Sequence, residues 1–181
     1  MKVKIGVMGS ASGKLDEKAC RLAYRLGQEI AKKDCILLTG GCPGLPYEAT
    51  KGAKAAGGMT IGVSPAHNLT EHIDAYKSPY DHLDVLIYTG SGLMGREVIC
   101  IRSCDIVIIV GGRSGTLGEF SMAYDEGKLI GVLEGTGGIT AKLREMAEVI
   151  KKQTRSQIVY SSHPEELVDK LLTVNSKVNR E

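Results

Sequence analysis

The sequence predicts an α/β protein built on a doubly wound, mainly parallel sheet of about seven strands with helices on both faces. Short runs rich in Val and Ile recur along the chain, amphipathic stretches lie between them, and glycines crowd the points where the runs end. A strand covered on both faces has no wet side, so it reads as apolar throughout instead of alternating. Strands that alternate with helices make a parallel sheet.

The runs are "VKIGVMG" from Val3, "CILLT" from Cys35, "TIGVS" from Thr60, "VLIYT" from Val85, "DIVIIV" from Asp105, "LIGVLE" from Leu129 and "QIVYS" from Gln157. Between them, residues 16–33 repeat their apolar side chains at Ala19, Leu22, Ala23, Leu26 and Ile30, one stripe of an amphipathic helix that packs on the sheet. Residues 140–152 do the same through Leu143, Met146, Ala147 and Ile150, and residues 95–103 make a shorter helix. Ser162 opens the last helix, forming a Ser-x-x-Glu capping box with Glu165.

At 181 residues and 43% hydrophobic content, the chain fits one domain large enough to bury a real core. That domain is expected to span 1–174, leaving 175–181 as a flexible tail. A formal charge of +2, with acids and bases interspersed, leaves no electrostatic footprint for nucleic acid or an anionic membrane, so neither is an expected partner. No apolar run approaches the length of a membrane span, and "MKVKIGVMGS" enters a strand pattern instead of a signal peptide, which predicts a cytoplasmic protein. Cys20, Cys35, Cys42, Cys100 and Cys104 form no CxxC pair; they are expected as reduced thiols, with Cys100 and Cys104 in the core and no metal site. His67, His72 and His82 fall in one loop-like region without a metal-ligand rhythm and are expected at the surface.

In open α/β sheets a ligand sits outside the carboxyl ends of the strands, near the switch in strand order. The glycines mark that edge: "GSASGK" follows the first strand, "TGGCPGLPYEA" the second, "TGSGLMGRE" the fourth and "GGRSGT" the fifth. Any one of these is explained by a tight turn. Four on one rim point to a ligand that the backbone must approach closely. The strongest, Gly111 to Thr116, runs straight into a helix whose free N–H groups and positive dipole end suit a phosphate. The candidate ligand-binding residues are therefore Gly9, Ser10, Gly40, Gly41, Gly44, Gly111, Gly112, Arg113, Ser114, Gly115 and Thr116, with the amides of Gly112 to Thr116 lining an anion pocket.

Two common phosphate motifs are excluded. "GSASGKL" is one residue short of a P-loop and has Leu15 where a Mg²⁺-binding hydroxyl is required. The first turn also lacks GxGxxG, and no acidic residue ends the second strand to hold a ribose. Next to the cradle, Thr116 and Glu119 are three apart at a helix start and share a side. A carboxylate there can stabilise the positive charge that develops when an N-glycosidic bond breaks. It can also simply complement the helix dipole, an effect of about 0.3–1 kcal/mol that needs no ligand. Arg96 cannot act as an acid near neutral pH, so its role is to clamp phosphate or pair with Glu119. At the start of its helix a cation faces a positive dipole end, a mild cost that favours a functional reason for it.

"GGRSGTLGE" from Gly111 to Glu119, with the upstream Arg in "MGRE" and the early "TGGCPGLPYEATKGAKAAGGMTIGV", resembles the lysine-decarboxylase-like LONELY GUY (LOG) family and its molybdenum-cofactor-carrier relatives. The resemblance runs from the first strand to about Leu133. It implies a modified Rossmann fold, a homodimer or higher homo-oligomer with an interface helix beside the site, and a phosphorylated small-molecule ligand. For the hydrolases of the group it implies cleavage of a nucleoside 5'-monophosphate into base and ribose 5-phosphate, with Arg96 and Glu119 at the family's catalytic positions. The motif here is GGxxGTxxE where the hydrolases have PGGxGTxxE, and Glu97 stands where they have Lys. That form is closer to the cofactor-carrier branch. Two functions therefore compete: a phosphoribohydrolase, or a non-catalytic carrier or sensor. An AMP-like nucleotide, phosphate or molybdopterin is the expected ligand, and no cofactor is required.

Overall fold

Each of the seven apolar runs forms a strand, and all of them pair in parallel in the order β4-β3-β2-β1-β5-β6-β7. The computed structural model describes residues 1–150 and 152–178. The strands are β1 (Lys4–Gly9), β2 (Ile36–Thr39), β3 (Met59–Ser64), β4 (Val85–Tyr88), β5 (Ile106–Val110), β6 (Leu129–Leu133) and β7 (Gln157–Ser161). They alternate with α1 (Glu17–Lys32), α2 (Leu45–Ala55), α3 (Leu69–Asp74), α4 (Gly92–Ser103), α5 (Ser114–Asp125), α6 (Leu143–Ile150) and α7 (Pro164–Val178). The chain winds outward from β1 in one direction and from β5 in the other, so the switch in strand order lies between these two neighbours.

Two apolar layers follow from the pleat. Ile106, Ile108 and Val110 of β5 point to the side covered by α1, α2 and α7, where Ala23, Leu26, Ile30, Ala49 and Leu171 are buried. Val107 and Ile109 point to the opposite side, packing with Cys100, Ile101, Phe120 and Leu143 from α4, α5 and α6. Cys100 and Cys104 are buried in that second layer, as expected of core thiols. Helices α1 and α2 approach each other through glycines: a Cβ on Gly27 would stand 1.9 Å from Ala49 O, and one on Gly52 1.9 Å from Tyr24 O. Asp16 caps α1 by accepting from the Ala19 N–H at 3.1 Å, a contact worth about 1 kcal/mol.

Several expectations are corrected. Helix α4 begins at Gly92, not at residue 95, so Arg96 lies in its second turn and the argument from an unfavourable dipole end does not apply. Residues 140–152 are not one helix: a 3-10 turn, Gly138–Ala141, precedes α6, because Gly137 and Gly138 take positive φ and Thr140 Oγ1 donates to Gly137 O. Lys151 lies outside the described residues. At α7 it is Ser161, not Ser162, that organises the entry, accepting from the His163 N–H and donating to Glu166. The helix runs on through Asn175 to Val178, into the stretch expected as a tail, while 179–181 lie outside the described residues.

His72 is wholly buried instead of superficial. Pro79 O, 3.0 Å from Nε2, can only accept, so Nε2 carries the proton and Nδ1 takes the Ser64 hydroxyl at 2.8 Å. The sequence of β4 also reads as a strand covered on both faces, but Val85, Ile87 and Tyr88 are exposed, because β4 is an edge strand and the neighbouring α3 has 6 residues. Among the described residues no helix is long and apolar enough to cross a membrane.

Candidate functional site

The carboxyl ends of β1, β2 and β5 open into a cavity of about 360 Å³ lined by Gly9, Ser10, Ala11, Ser12, Gly40, Cys42, Pro46, Leu93, Arg96, Glu97, Arg113, Ser114, Gly115, Thr116 and Glu119. It lies at the switch between β1 and β5, where a doubly wound sheet leaves a crevice. A larger cavity of about 590 Å³ lies at the opposite ends of β5 to β7, away from the glycine-rich turns, and Lys152 and Asp125 in its lining pair with each other. We therefore take the rim cavity as the site.

The expected ligand-binding residues divide into two sets. Gly9, Ser10, Gly40, Arg113, Ser114, Gly115 and Thr116 line the cavity; Gly41, Gly44, Gly111 and Gly112 do not, and shape the loops behind it. The amides of Gly111 and Gly112 are already used: Gly111 N–H donates to Thr136 Oγ1 at 2.8 Å, and Gly112 N–H to Ser10 Oγ at 2.7 Å. Gly112 O in turn accepts from the Ile139 N–H at 2.8 Å, and a Cβ on Gly138 would stand 2.3 Å from that oxygen. The amide cradle expected from Gly112 to Thr116 is thus shortened at its start. Its usable donors are the first-turn amides of α5, Ser114 to Thr116, because the first helical bond runs from Leu117 N–H to Arg113 O.

Arg113, which the sequence leaves between ligand and solvent, donates from Nη2 to Ser12 Oγ at 2.6 Å and so links the two loops that flank the cavity. Ser10 joins a third loop, its carbonyl accepting from the Leu45 N–H at 2.8 Å.

The sequence brings Arg96 and Glu119 together as expected, and buries both: they are 6% and 7% exposed. Arg96 Nη1 stands 4.0 Å from Glu119 Oε1, at the limit of an ion pair and too far for a hydrogen bond. Arg96 Nε is buried with no partner. The guanidinium lies against Gly40, where a Cβ would meet Nη1 at 2.1 Å, so Gly40 is glycine because Arg96 occupies its side-chain space. Burial pushes the Glu119 carboxyl up to about 8; Arg96 opposes this and Glu97 adds to it. Burial raises Glu97 as well, and removal from water pushes the Cys42 thiol up to about 11. The inner wall thus presents a guanidinium beside a carboxyl and a thiol that burial shifts toward their neutral forms.

Sequence reasoning missed Ser12, Cys42, Pro46, Leu93, Glu97 and Thr136. Cys42 follows the glycine pair after β2, Leu93 lies in the first turn of α4, and Thr136 belongs to "EGTGG", a glycine-rich turn after β6; in such stretches the pattern draws attention to the backbone and not to the side chains between the glycines. Among the described residues no group of three His, Cys, Asp or Glu side chains comes together to hold a metal ion.

Fold and site together define a Rossmann-like α/β protein with a glycine-lined cavity at the switch in strand order. The chain belongs to the SLOG cluster4 family, whose model matches residues 2–168. It is 37% identical over 132 residues to an uncharacterized protein of Archaeoglobus fulgidus, covering 73% of this chain and 80% of that one. Among solved structures it is similar to the molybdenum cofactor binding protein of the phototrophic bacterium Rippkaea orientalis, with 31% identity, a TM-score of 0.79 and coverage of 96% and 98% of the two chains. The molybdenum cofactor carrier protein of Chlamydomonas reinhardtii is 32% identical, with a TM-score of 0.75 and coverage of 96% and 99%. DNA processing protein A of Helicobacter pylori, which binds single-stranded DNA, is 21% identical and shares the fold alone.

Proposed function

We propose that this chain is a binding protein whose cargo is a phosphorylated pterin, the molybdenum cofactor, and that it does not turn over a nucleotide. One observation carries the reading. The cradle at the switch point joins α5 amides outside the helical ladder and a buried, under-satisfied Arg96 to a carboxyl that burial pushes up to about 8. Such a set suits an anion, while a carboxyl shifted toward its neutral form is a poor source of the negative charge that an oxocarbenium-like transition state requires. The likeness to two proteins described as binding or carrying the molybdenum cofactor supports it. In this reading the amides of Ser114, Gly115 and Thr116, with Arg113, hold the phosphate, and Gly9, Ser10 and Gly40 let the body of the ligand lie close to the backbone. The molybdenum arrives with the cargo, so the protein needs no metal site of its own. A cytoplasmic location and a homo-oligomer, at least a dimer, are part of the same proposal.

The second reading is a phosphoribohydrolase acting on an AMP-like nucleotide, favoured by Arg96 and Glu119 standing side by side. One experiment separates the two. The chain is purified from a host that makes the cofactor, the pterin is released and measured by fluorescence, and the same preparation is incubated with AMP. The expected outcome is bound pterin and no free adenine. Adenine release that disappears in Glu119→Gln would establish the hydrolase instead.

A further inference from the structure

The inner end of the cavity carries an imbalance that the phosphate cradle does not use. Arg96 Nε is buried without an acceptor, and the nearest carboxylate oxygen, Glu119 Oε1, stands 4.0 Å from Nη1. A buried guanidinium donor left unpaired is costly, so the position is set for an acceptor brought from outside. The charged and titratable groups facing Glu119 are Arg96, Glu97 and Cys100 from α4, Cys42 from the β2–α2 loop, and Arg113 at the start of its own helix. Also packed on α5, β1, β5, β6 and the 138–141 turn bring no titratable side chain to this end of the sheet, while Lys142 and Glu145 lie beside Leu117 and Ser121. Both thiols are pushed up by burial and stay neutral. Arg113 is held at Ser12. Two carboxyl groups, Glu97 and Glu119, therefore answer to one buried guanidinium, and an entering anion adds to the negative side.

We propose that this inner end is a subsite for an acceptor-rich group of the ligand, an oxo, carbonyl or tetrahedral oxyanion group, which takes hydrogen bonds from Arg96 Nε–H and from the O–H of a protonated Glu119. Filling the subsite fixes one proton on Glu119, drawn from solvent wherever the carboxyl is ionised in the free protein. A cationic ligand end, such as an ammonium group, is disfavoured because it meets the like charge of the Arg96 guanidinium. The rise of Glu119 to about 8 agrees with this arrangement. The inference rests on the reading that this cavity is the ligand site, and adds what chemistry the inner wall selects.

Sulfate is a suitable probe, being a tetrahedral dianion that does not titrate in the neutral to alkaline range. Its binding to the whole chain is measured by calorimetry from about pH 6.5 to about pH 9.5, in buffers of different ionisation enthalpy. We expect affinity to fall about tenfold for each pH unit above about 8, with net proton uptake on binding in that range. Glu119→Gln gives a flat profile, since its amide donates at every pH. The infrared C=O band of a protonated carboxylic acid, present in the ligand-free wild type at pH 7 and missing in Glu119→Gln, reads the same proton without any ligand. An unchanging wild-type sulfate affinity, no sulfate binding at any pH, or no acid C=O band at pH 7 overturns the proposal. Proton-linked sulfate binding by a protein that never copurifies with a pterin upholds the subsite and removes the cargo reading.

Discussion

At the scale of single residues, burial decides what Glu119 can do. Its folded-state value of about 8 lies above its ordinary value of 4.5, so the folded protein holds a proton that the unfolded chain releases. The favourable contribution is complete below pH 4.5 and is lost as the pH rises toward 8, at a rate of up to about 1.4 kcal/mol per pH unit. In urea denaturation Glu119→Gln, which cannot ionise, should therefore gain on the wild type between about pH 5 and about pH 8, by an amount on the order of a few kcal/mol. Parallel curves for the two proteins would mean that the carboxyl ionises freely in the fold. The positions of Arg96 and Glu119 were legible in the sequence because the motif spacing marks them. Their protonation and the orphaned Nε were not, because both depend on how deeply α4 and α5 bury these side chains, and Gly40, which makes room for the guanidinium, is distant in sequence.

At the scale of elements, the apolar runs identified all seven strands, but not how deeply each is buried. The apolar run of β5 is buried at all five positions, whereas the similar run of β4 lies exposed, since a single sequence does not say which strand ends the sheet. Ser162 lost its expected role to Ser161 for a related reason: the cap depends on where β7 stops, and pattern alone does not resolve one residue. The α1–α2 contact makes a sharper forecast. Gly52 lies within reach of Tyr24 O only because it lacks a Cβ. Gly52→Ala should therefore force the helices apart and lower stability by about 1–3 kcal/mol, the range for overpacking, as read from the urea midpoint. The loss should carry over to ligand affinity, because α2 follows directly from Gly44 and Leu45, which anchor Ser10.

At the scale of the whole molecule, β4 and α4 carry several exposed apolar side chains. Residues 85–99 expose Val85, Ile87, Tyr88, Leu93, Met94 and Ile99, and Leu93 also lines the cavity. Scattered exposed apolar side chains are ordinary, but several on consecutive elements fit the homo-oligomer proposed above, with this stretch as its contact surface. Sedimentation at micromolar concentration should show an oligomer, and Met94→Glu, at a side chain that is 81% exposed, should return it to the 19.3 kDa monomer without unfolding it. A wild type that sediments as a monomer would leave that surface without a partner copy. The loops behind the cavity are tied to one another: Ser10 to Gly112, Gly111 to Thr136, Gly112 to Ile139. For the cargo proposed above, loops already tied together leave less of the chain to be ordered on binding. We expect the residence time to follow from the contacts the cargo itself makes, so that one occupant replaces another without unfolding of the rim.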